Sequence, residues 1–385
     1  MQIPGFKNPL VILQTIEYFD RMLIISMILF CFLVIYTGIV LWLLPAIRPK
    51  KSANAPTILP NVSVLVAVHN EAGSLPNLLG CLAALDYPRE KLQILIIDDR
   101  STDTTPDLVR SFTKAHPNIQ YLGSTNPLDW RSSKKAALAL GAEHATGEIL
   151  LLTDADCTPP PSWVRTTISR FTPGVGMVAG FSPQHAARAG LWDRFLVTDS
   201  LAAAIVAAAG MERRRGITCT GRNLAFRKQT LYDIGGYTSL PDTLSGDDDF
   251  ILQAVTRHPD WKTRYMLSPG GTVPATGPAN WQQFIRQKTR HISAGVQFTR
   301  PQQAGYALYH AANLAIWICA LFSLYNPILL ITLIVKLLLD VLILHKFSKI
   351  LGTRFSLSGW LLWEVLFPAY HLITAPRAFF SKPGW

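Results

Sequence analysis

Two carboxylates stand one residue apart directly after an apolar run. Residues 150–152 and Thr153 precede Asp154 and Asp156. In an extended chain the side chains at i and i+2 point to the same side, so these carboxylates can converge on one point. Open α/β sheets bind their ligands at the carboxyl ends of parallel strands. Two such oxygen ligands suit Mg²⁺ or Mn²⁺, and these ions suit a diphosphate, so we predict a divalent metal site at Asp154 and Asp156.

Two further apolar runs end in polar and acidic residues. They are residues 62–68, which precede His69 and Glu71, and residues 92–97, which precede Asp98 and Asp99. Helix-like segments lie near residues 75–85, 103–115 and 132–146. The alternation predicts βαβ units and an α/β fold with a mostly parallel sheet. Acidic residues after strands can also be turn formers and helix caps, but capping does not explain the same pattern at three strand ends.

Seven short motifs follow one another between residues 62 and 291. They are Val68-His69-Asn70-Glu71, Asp98-Asp99-Arg100-Ser101-Thr102-Asp103, Lys134-Lys135-Ala136-Ala137-Leu138-Ala139-Leu140-Gly141, Asp154-Ala155-Asp156, Gly221-Arg222-Asn223-Leu224-Ala225-Phe226-Arg227, Gly246-Asp247-Asp248-Asp249-Phe250 and Gln287-Lys288-Thr289-Arg290-His291. In type and order they resemble the motifs of the large inverting glycosyltransferase family 2. The resemblance is to its membrane-anchored branch, which includes cellulose, hyaluronan and poly-N-acetylglucosamine synthases. It implies a GT-A, Rossmann-like catalytic domain with flanking transmembrane helices.

The resemblance also implies a role for each motif. It assigns nucleotide-sugar binding to His69, Glu71, Asp98, Asp99, Lys134, Asp154, Gln287 and Arg290. It makes Asp156 the more direct metal ligand, with Asp154 beside it. The acceptor side would be formed by Gly221, Arg222, Asn223 and His291. A carboxylate of the acidic run, Asp247 or Asp248, would be the catalytic base.

The chain departs from the family pattern at three motifs, and in one of them Ser133 stands where a glycine often precedes the lysine. A Gly-Asp-Asp-Asp run stands where a Glu-Asp pair is usual, so the base is ambiguous: in register it is Asp247, and Asp248 stays open. His291 stands where the family has Trp. An imidazole is smaller and more polar than an indole, so it is a weaker platform for a sugar ring. Because few spans are available to enclose a polar polymer, we expect each protomer to add one or a few sugars.

Composition favours a membrane enzyme. Hydrophobic residues make up 49% of the chain and charged residues only 16%, which is low for an average soluble domain. We expect an N-terminal segment at residues 1–21, a transmembrane helix at 22–46, the GT-A domain at 50–300, two transmembrane helices at 304–346, and a fourth transmembrane, re-entrant or interfacial segment at 357–380. Lys336 and Asp340 are four residues apart in one expected span. We expect them to pair and to face neighbouring helices, because a lone charge in a bilayer costs roughly 2.5 to 3.5 kcal/mol.

Basic residues set the expected orientation. Arg48, Lys50 and Lys51 follow the first span, and Lys346, Lys349 and Arg354 follow the third. The positive-inside rule then places the catalytic domain in the cytoplasm and the N-terminus outside, in an integral protein of the inner (cytoplasmic) membrane. The formal net charge of +11 favours contact with anionic lipid. The basic run after Glu212 has no accompanying aromatic platform, so no nucleic-acid partner is expected.

A helix expected at residues 191–210 has two interpretations. Its apolar residues include Leu191, Trp192, Phe195 and Leu201, and its polar residues include Asp193, Arg194 and Asp199. It is either a helix resting on the membrane surface or an ordinary core-facing helix. Sequence alone leaves both open.

The expected activity is metal-dependent inverting transfer of a sugar from a nucleotide sugar, with a UDP-sugar as the expected donor. The acceptor would be membrane-associated, a lipid-linked molecule or a glycan, in envelope glycan synthesis. Mg²⁺ or Mn²⁺ would be the cofactor, and membrane lipid and other subunits would be further partners. The alternatives are a processive polysaccharide synthase and a non-catalytic membrane-anchored scaffold that binds nucleotide sugars. The full set of acidic residues argues against the scaffold.

Overall fold

The fold combines an α/β domain with long apolar helices. The computed structural model describes residues 9–44, 48, 58–124, 132–243, 245–321, 323 and 328–380. The strands are β1 (Val62–Val68), β2 (Leu92–Asp98), β3 (Ile119–Gly123), β4 (Ile149–Leu152), β5 (Val175–Gly180), β6 (Gln184–His185), β7 (Leu224–Arg227), β8 (Lys262–Met266) and β9 (Ala275–Thr276). The helices are α1 (Pro9–Leu43), α2 (Leu75–Ala83), α3 (Thr105–Thr113), α4 (Ser133–His144), α5 (Trp163–Ile168), α6 (Leu191–Glu212), α7 (Lys228–Asp233), α8 (Asp247–Arg257), α9 (Trp281–Ala294), α10 (Arg300–Leu321), α11 (Ile328–Ile350) and α12 (Leu357–Phe380).

The chain divides into two compact units. One contains residues 1–42 and 300–342, and the other contains residues 43–299 and 343–385. The second unit therefore unites the α/β domain with α12, although α10 and most of α11 separate them in sequence. Lys50 and Lys51, on which the expected orientation partly depends, lie outside the described residues.

A seven-stranded sheet forms the centre of the α/β domain. Its strand order is β3-β2-β1-β4-β7-β5-β8, and β7 alone runs antiparallel to its two neighbours among these strands. The strands β1 and β4 are almost wholly apolar and buried, as is typical of strands covered on both faces. The mostly parallel sheet predicted from the alternation of apolar runs is therefore confirmed.

The parallel register brings three polar segments to one edge of the sheet. Val68, at the end of β1, pairs with Asp98 at the end of β2. On the other side of β1, Leu65 pairs with Leu152, the last residue of β4. The segments that follow β1, β2 and β4 consequently lie side by side. The helices between them begin and end within two to three residues of the predicted segments.

Helix α6 is a core helix of the second unit. Most of its side chains are buried, including Phe195, Leu201 and the carboxyl-bearing Asp199. It packs against β8 on one side and α12 on another. Since the residues expected to form its polar side are partly buried in protein, the membrane-surface interpretation of residues 191–210 is wrong and the core-facing one is correct.

Helix α12 has one buried face and one exposed apolar face. It packs along α6 and α9 with side chains that include Trp363, Phe367 and Tyr370. At Gly359 the backbones of α12 and α6 come close together, since an added Cβ would lie 2.6 Å from the carbonyl oxygen of Arg194. The opposite face is exposed and apolar, through Leu357, Leu361, Val365 and Leu372.

The first unit contains the pair expected inside the third span. The ammonium group of Lys336 lies 2.9 Å from a carboxylate oxygen of Asp340, and Lys336 is fully buried. The hydroxyl of Tyr36, on α1, donates to the same carboxylate at 2.7 Å. The prediction that the two charges pair and face neighbouring helices is therefore confirmed.

Helices form at every segment expected to be transmembrane. Within the described part of the chain, two helical segments are long and apolar enough to cross a membrane, Ser26–Leu43 and Leu191–Glu212. The second is largely buried within the α/β unit, whereas the first exposes most of its side chains. The crossing of a bilayer by α1, α10 and α11 stays a prediction.

Candidate active site

The loop after β4 carries the predicted metal ligands, and a lysine reaches one of them. Lys134, near the start of α4, donates to Asp154 at 2.5 Å. Burial alone would raise the pKa of Asp154, but Lys134 and the charges of Arg222 and Arg290 hold it below its ordinary value. Three predicted site residues from three other segments, Lys134, Arg222 and Arg290, therefore act electrostatically on Asp154 at the sheet edge.

Asp156 lies in a different electrostatic environment. Burial and the neighbouring charge of Asp154 raise the pKa of Asp156, while Arg222 acts in the opposite direction. The thiol of Cys157 is near one carboxylate oxygen, at 3.6 Å. A carboxylate whose ionised form is disfavoured by a second carboxylate is stabilised when a cation joins them.

The two aspartates fit a divalent ion that shares its coordination with a substrate. Mg²⁺ is commonly bound through one or two carboxylates together with substrate phosphates rather than by a cage of protein ligands. Among the described residues no group of three acidic, histidine or cysteine side chains could hold a metal. Asp154 and Asp156 therefore supply a partial oxygen set of the type that a diphosphate would complete.

The three aspartates at the start of α8, Asp247, Asp248 and Asp249, have different hydrogen-bond partners. One oxygen of Asp247 accepts from the hydroxyl of Ser132 at 3.0 Å. Its other oxygen is buried and has no hydrogen-bond partner among the described residues. Burial and the charge of Asp248 raise the pKa of Asp247 to about 6. An acid with this pKa and a vacant lone pair can accept a proton near neutral pH.

Asp248 and Asp249 are held by backbone amides. One oxygen of Asp248 accepts from Gly221 N at 2.8 Å and the other from Asp249 N at 3.0 Å. Asp249 accepts from Cys219 N at 2.9 Å. These carboxylates fix the 3₁₀ turn Gly221–Asn223 and the residues before it against α8. The structure thus favours Asp247 over Asp248 as the base.

Gly246 accounts for one departure from the family pattern. Its φ is +93°, a left-handed conformation that side chains other than glycine rarely adopt. An added Cβ would also lie 2.5 Å from the Cβ of Ala294, in the last turn of α9. A glutamate at this position would be both strained and in steric conflict, so glycine is required for α8 and α9 to meet here.

The loops after β1 and β2 are interlocked. His69 Nδ1 lies 2.6 Å from the carbonyl of Asp99. Asp98 accepts from the hydroxyl of Tyr121 at 2.8 Å and from Ser101 N at 3.2 Å. Asp99 pairs with Arg100 at 3.1 Å. Both carboxylates are buried and hold the loop, so their direct contact with a nucleotide stays a prediction.

Glu71 and Asn70 contribute to the same structure. The carboxylate of Glu71 accepts from the hydroxyl of Ser74 at the start of α2. Asn70, at φ +54°, accepts from Thr102 N at 2.8 Å. The carboxylate of Glu71 is therefore partly engaged by Ser74, and a role in nucleotide binding stays a prediction for it.

The acceptor-side motif contains two half-buried residues and one buried residue. Gly221 and Arg222 are half-buried at the turn that Asp248 holds. Asn223 is buried: its amide donates to the carbonyls of Phe181 and Gly271, both at 2.8 Å, and its oxygen accepts from Trp163 at 3.0 Å. All its polar atoms are engaged in the core, so the expected acceptor contact of Asn223 is not supported.

Helix α9 presents the last motif. Gln287, Arg290 and His291 are spaced i, i+3 and i+4, so they share one helix face. The side chain of His291 is exposed, and desolvation by neighbouring groups, followed by the charges of Arg290 and Lys288, lowers the pKa of its imidazole below the ordinary value. The imidazole is therefore neutral at physiological pH and can both donate and accept one hydrogen bond.

Two residues outside the predicted set support the site. Ser132 caps α4 by accepting from Lys135 N at 3.1 Å, and it also donates to Asp247. Lys135 is buried and donates to the carbonyl of Pro241 at 3.1 Å, in the segment before α8. A serine directly before a predicted helix is a recognisable capping signal. Its contact with Asp247 could not be predicted, because the two residues are 115 positions apart in the sequence.

Comparisons with known proteins identify the family and the fold that this chain resembles. The family model described as "Glycosyl transferase family 2" matches residues 63–235. Glycosyltransferase AglE of Haloferax volcanii is 33% identical over 123 residues, which are 32% of this chain and 39% of that protein. Beta-monoglucosyldiacylglycerol synthase of Synechocystis is 23% identical over 256 residues, 65% of this chain and 51% of that protein. The chain thus spans about two fifths to one half of the length of these relatives.

A solved structure shares the fold. The mannosyltransferase PcManGT from Pyrobaculum calidifontis, solved in complex with GDP-Man and Mn²⁺, has 21% sequence identity and a TM-score of 0.59. The similarity covers 94% of this chain and 98% of that one. Residues 63–235 of this chain therefore form a glycosyl transferase family 2 domain of GT-A fold, and the enzyme class of that domain is glycosyltransferase.

Proposed function

We propose that this chain is a membrane-anchored, metal-dependent inverting glycosyltransferase that moves a sugar from a nucleotide sugar to a lipid-linked acceptor. The observation that carries the proposal is the environment of Asp247. Its carboxylate has one buried oxygen without a partner among the described residues, and its pKa is raised to about 6. It belongs to the same electrostatic cluster as Lys134, which pairs with Asp154.

The side chains present support a single displacement. Asp247 takes the proton of an acceptor hydroxyl as that oxygen attacks the anomeric carbon of the donor. The bond between the anomeric carbon and the phosphate oxygen breaks, and a nucleoside diphosphate leaves. One displacement inverts the anomeric configuration, so no second carboxylate is needed as a nucleophile.

Cationic side chains would hold the leaving group. Arg290 and Arg222 lie close enough to Asp154 for their charges to lower its pKa. A planar guanidinium donates in pairs to phosphate oxygens, so these two residues suit the diphosphate. Lys134 is bonded to Asp154 and would exchange part of that contact for a phosphate oxygen.

Asp156, with Asp154, would hold Mg²⁺ or Mn²⁺. When bound, the ion would neutralise the charge that develops on the diphosphate as the glycosidic bond breaks. This assignment is supported by the raised pKa of Asp156, because burial and then the negative charge of Asp154 both disfavour its ionised form, and a bound cation would offset both.

The acceptor and the location are inferred from the relatives and from the apolar helices. A relative of this chain is named beta-monoglucosyldiacylglycerol synthase, a name that denotes a sugar placed on a membrane lipid. The segment Ser26–Leu43 is apolar and exposed, as expected for a helix in lipid. We place the catalytic unit in the cytoplasm, where nucleotide sugars are available, and the N-terminus outside.

The decisive experiment is a donor screen on the purified full-length chain in detergent or nanodiscs. UDP-, GDP- and TDP-sugars are incubated with polyprenyl phosphate or diacylglycerol, and the released nucleoside diphosphate is measured with Mn²⁺ and with chelator. We expect release with one donor class, dependent on metal and acceptor, and a product of inverted anomeric configuration. Absence of turnover with every pair, while nucleotide binding persists, would instead support the binding scaffold.

Product size tests the processive alternative. His291 offers a neutral, polar imidazole where a synthase would stack a sugar on an indole, which supports addition of one or a few sugars. Electrophoresis or chromatography of the reaction products separates the two outcomes. A ladder that extends to long, enzyme-associated polysaccharide would contradict limited addition.

A further inference from the structure

A buried ionic cluster joins three helices of the second unit beside the candidate site. We call the side chains of Asp199, Lys288, Trp363 and Tyr370 the Asp199 cluster. Asp199 of α6 pairs with the ammonium group of Lys288 on α9. The same carboxylate accepts from the hydroxyl of Tyr370 at 2.7 Å and from the indole of Trp363 at 3.2 Å, both on α12.

The two charged side chains of the cluster are largely removed from water. The carboxyl-bearing side chain of Asp199 is 5% exposed, and Lys288 is 20% exposed. The ammonium group of Lys288 also lies over the rings of Phe284 and Tyr370, at 5.3 and 6.0 Å from their centroids. A charge removed from water in this way needs its partners in place, because a buried unpaired charge is strongly destabilising.

The position of Lys288 on α9 gives the cluster its significance. Lys288 follows Gln287 and precedes Arg290 and His291 in the same helix. The backbone of a helix is rigid, so a displacement of Lys288 moves Arg290, two residues further, by a comparable distance. The displacement would reach the diphosphate site directly.

We infer that Asp199 is a positioning residue, which fixes α9 against α12 so that Arg290 and its neighbours are held at the donor site. The inference rests on the proposed function, since it takes α9 to bind the donor diphosphate. Asp199 has no part in bond making. It acts through Lys288, and Trp363 and Tyr370 fix the direction of its carboxylate.

Through this cluster the position of α12 also affects the position of α9 at the donor site. The face of α12 that carries Trp363 and Tyr370 contacts α6 and α9, and its other face is apolar and exposed. Any change that shifts α12 along this contact changes the bonds to Asp199. Such a change reaches α9 through Lys288, because that ammonium group is bonded to the same carboxylate.

Conservative variants of the full-length chain test the inference. Tyr370→Phe and Trp363→Phe each remove one donor to Asp199 and keep an aromatic ring in the core. The matched control is Trp360→Phe in the same helix, since the indole of Trp360 donates to Glu364 at 3.1 Å, within α12 itself. Asp199→Asn removes the charge that holds Lys288.

The measurements are the Kd of UDP or GDP, whichever binds, in the presence of Mn²⁺, the donor KM, the acceptor KM, and the thermal unfolding midpoint. We expect Tyr370→Phe and Asp199→Asn to raise the nucleotide Kd and the donor KM by about tenfold, the equivalent of one hydrogen bond to a charged group. The acceptor KM should stay near the wild-type value. Trp360→Phe should change the midpoint without changing the Kd.

Two outcomes distinguish failure of the inference from failure of the proposed function. If Arg290→Ala weakens nucleotide binding but Tyr370→Phe and Asp199→Asn lower only the unfolding midpoint, the cluster is purely structural and the inference is wrong. If Arg290→Ala leaves nucleotide binding unchanged, α9 does not hold the diphosphate, and that part of the proposed function is overturned first.

Discussion

The pH dependence of transfer is the sharpest test of the base assignment. A general base works only when it is ionised, and kcat/KM reports the pKa of the free enzyme. Burial and the charge of Asp248 raise the pKa of Asp247 to about 6, whereas an unperturbed aspartate titrates near pH 4. The wild-type profile should therefore rise between pH 5 and 7 and level off above.

The size of the effect follows from this pKa of about 6. Asp247 is about 90% ionised at pH 7 and about 10% ionised at pH 5, so kcat/KM should fall about tenfold between these values. Asp247→Asn should lower kcat by about 10² to 10⁴ and remove the inflection, since an amide cannot accept the proton. Nucleotide binding should survive, because Asp247 acts on the acceptor.

Ser132 provides an independent control on the same carboxylate. Its hydroxyl donates to Asp247, and this bond lowers the pKa of that acid by favouring the ionised form. Ser132→Ala should therefore move the inflection to higher pH, and Ser132→Thr, which keeps the hydroxyl, should restore it. The assay is initial-rate release of nucleoside diphosphate from pH 4.5 to 8.5, with unfolding midpoints measured in parallel because Ser132 also caps α4. An inflection near pH 6 that persists in Asp247→Asn would refute the reasoning, and so would an unshifted inflection in Ser132→Ala.

Three further predictions concern the metal, the backbone and the ion pair of the first unit. Asp156→Ala should abolish the Mn²⁺ dependence of nucleoside diphosphate binding measured by calorimetry, and an unchanged dependence would remove Asp156 from the metal site. Gly246→Ala should lower the free energy of unfolding by about 1 to 3 kcal/mol because of its left-handed backbone, whereas Gly80→Ala, inside α2 where an added Cβ meets no atom within 4 Å, should raise it by roughly 0.5 to 1 kcal/mol. Lys336→Leu should destabilise the detergent-solubilised chain by about 3 kcal/mol by leaving Asp340 unpaired, and Lys336→Leu with Asp340→Leu should recover part of that loss. If the thermal denaturation of the double variant shows a loss equal to the sum of the single ones, the two charges are not coupled.

The elements of the α/β domain could be predicted because local patterns determine them. Each apolar run was long enough to be a buried strand, and each acidic residue after it marked the strand end. The alternation with helices implied parallel pairing, so the convergence of residues 69–71, 98–99 and 154–156 could be predicted without coordinates. The pairing of Lys336 with Asp340 followed similarly from helical spacing and the cost of an isolated charge in lipid.

Features that depend on long-range packing could not be predicted. The choice between Asp247 and Asp248 depends on Ser132 and on the amide of Gly221, which lie 115 and 27 residues away. The burial of Asn223 depends on the carbonyls of Phe181 and Gly271, on other segments. The amphipathic appearance of residues 191–210 was misleading because Asp199 is neutralised by Lys288, and no local pattern indicates that partner.

The return of α12 to the catalytic unit has a consequence for how this protein is made. The unit is complete only after α12 (Leu357–Phe380) has been synthesised, so nascent residues 58–299 emerge from the ribosome without the helix that covers α6 and α9. During that interval the carboxylate of Asp199 lacks two of its donors and the aromatic face of α9 is bare, a state prone to aggregation. The synthesis of α10 and α11 would then set the earliest time at which the catalytic unit can close. A fragment cut after residue 299 would be a permanently trapped folding intermediate.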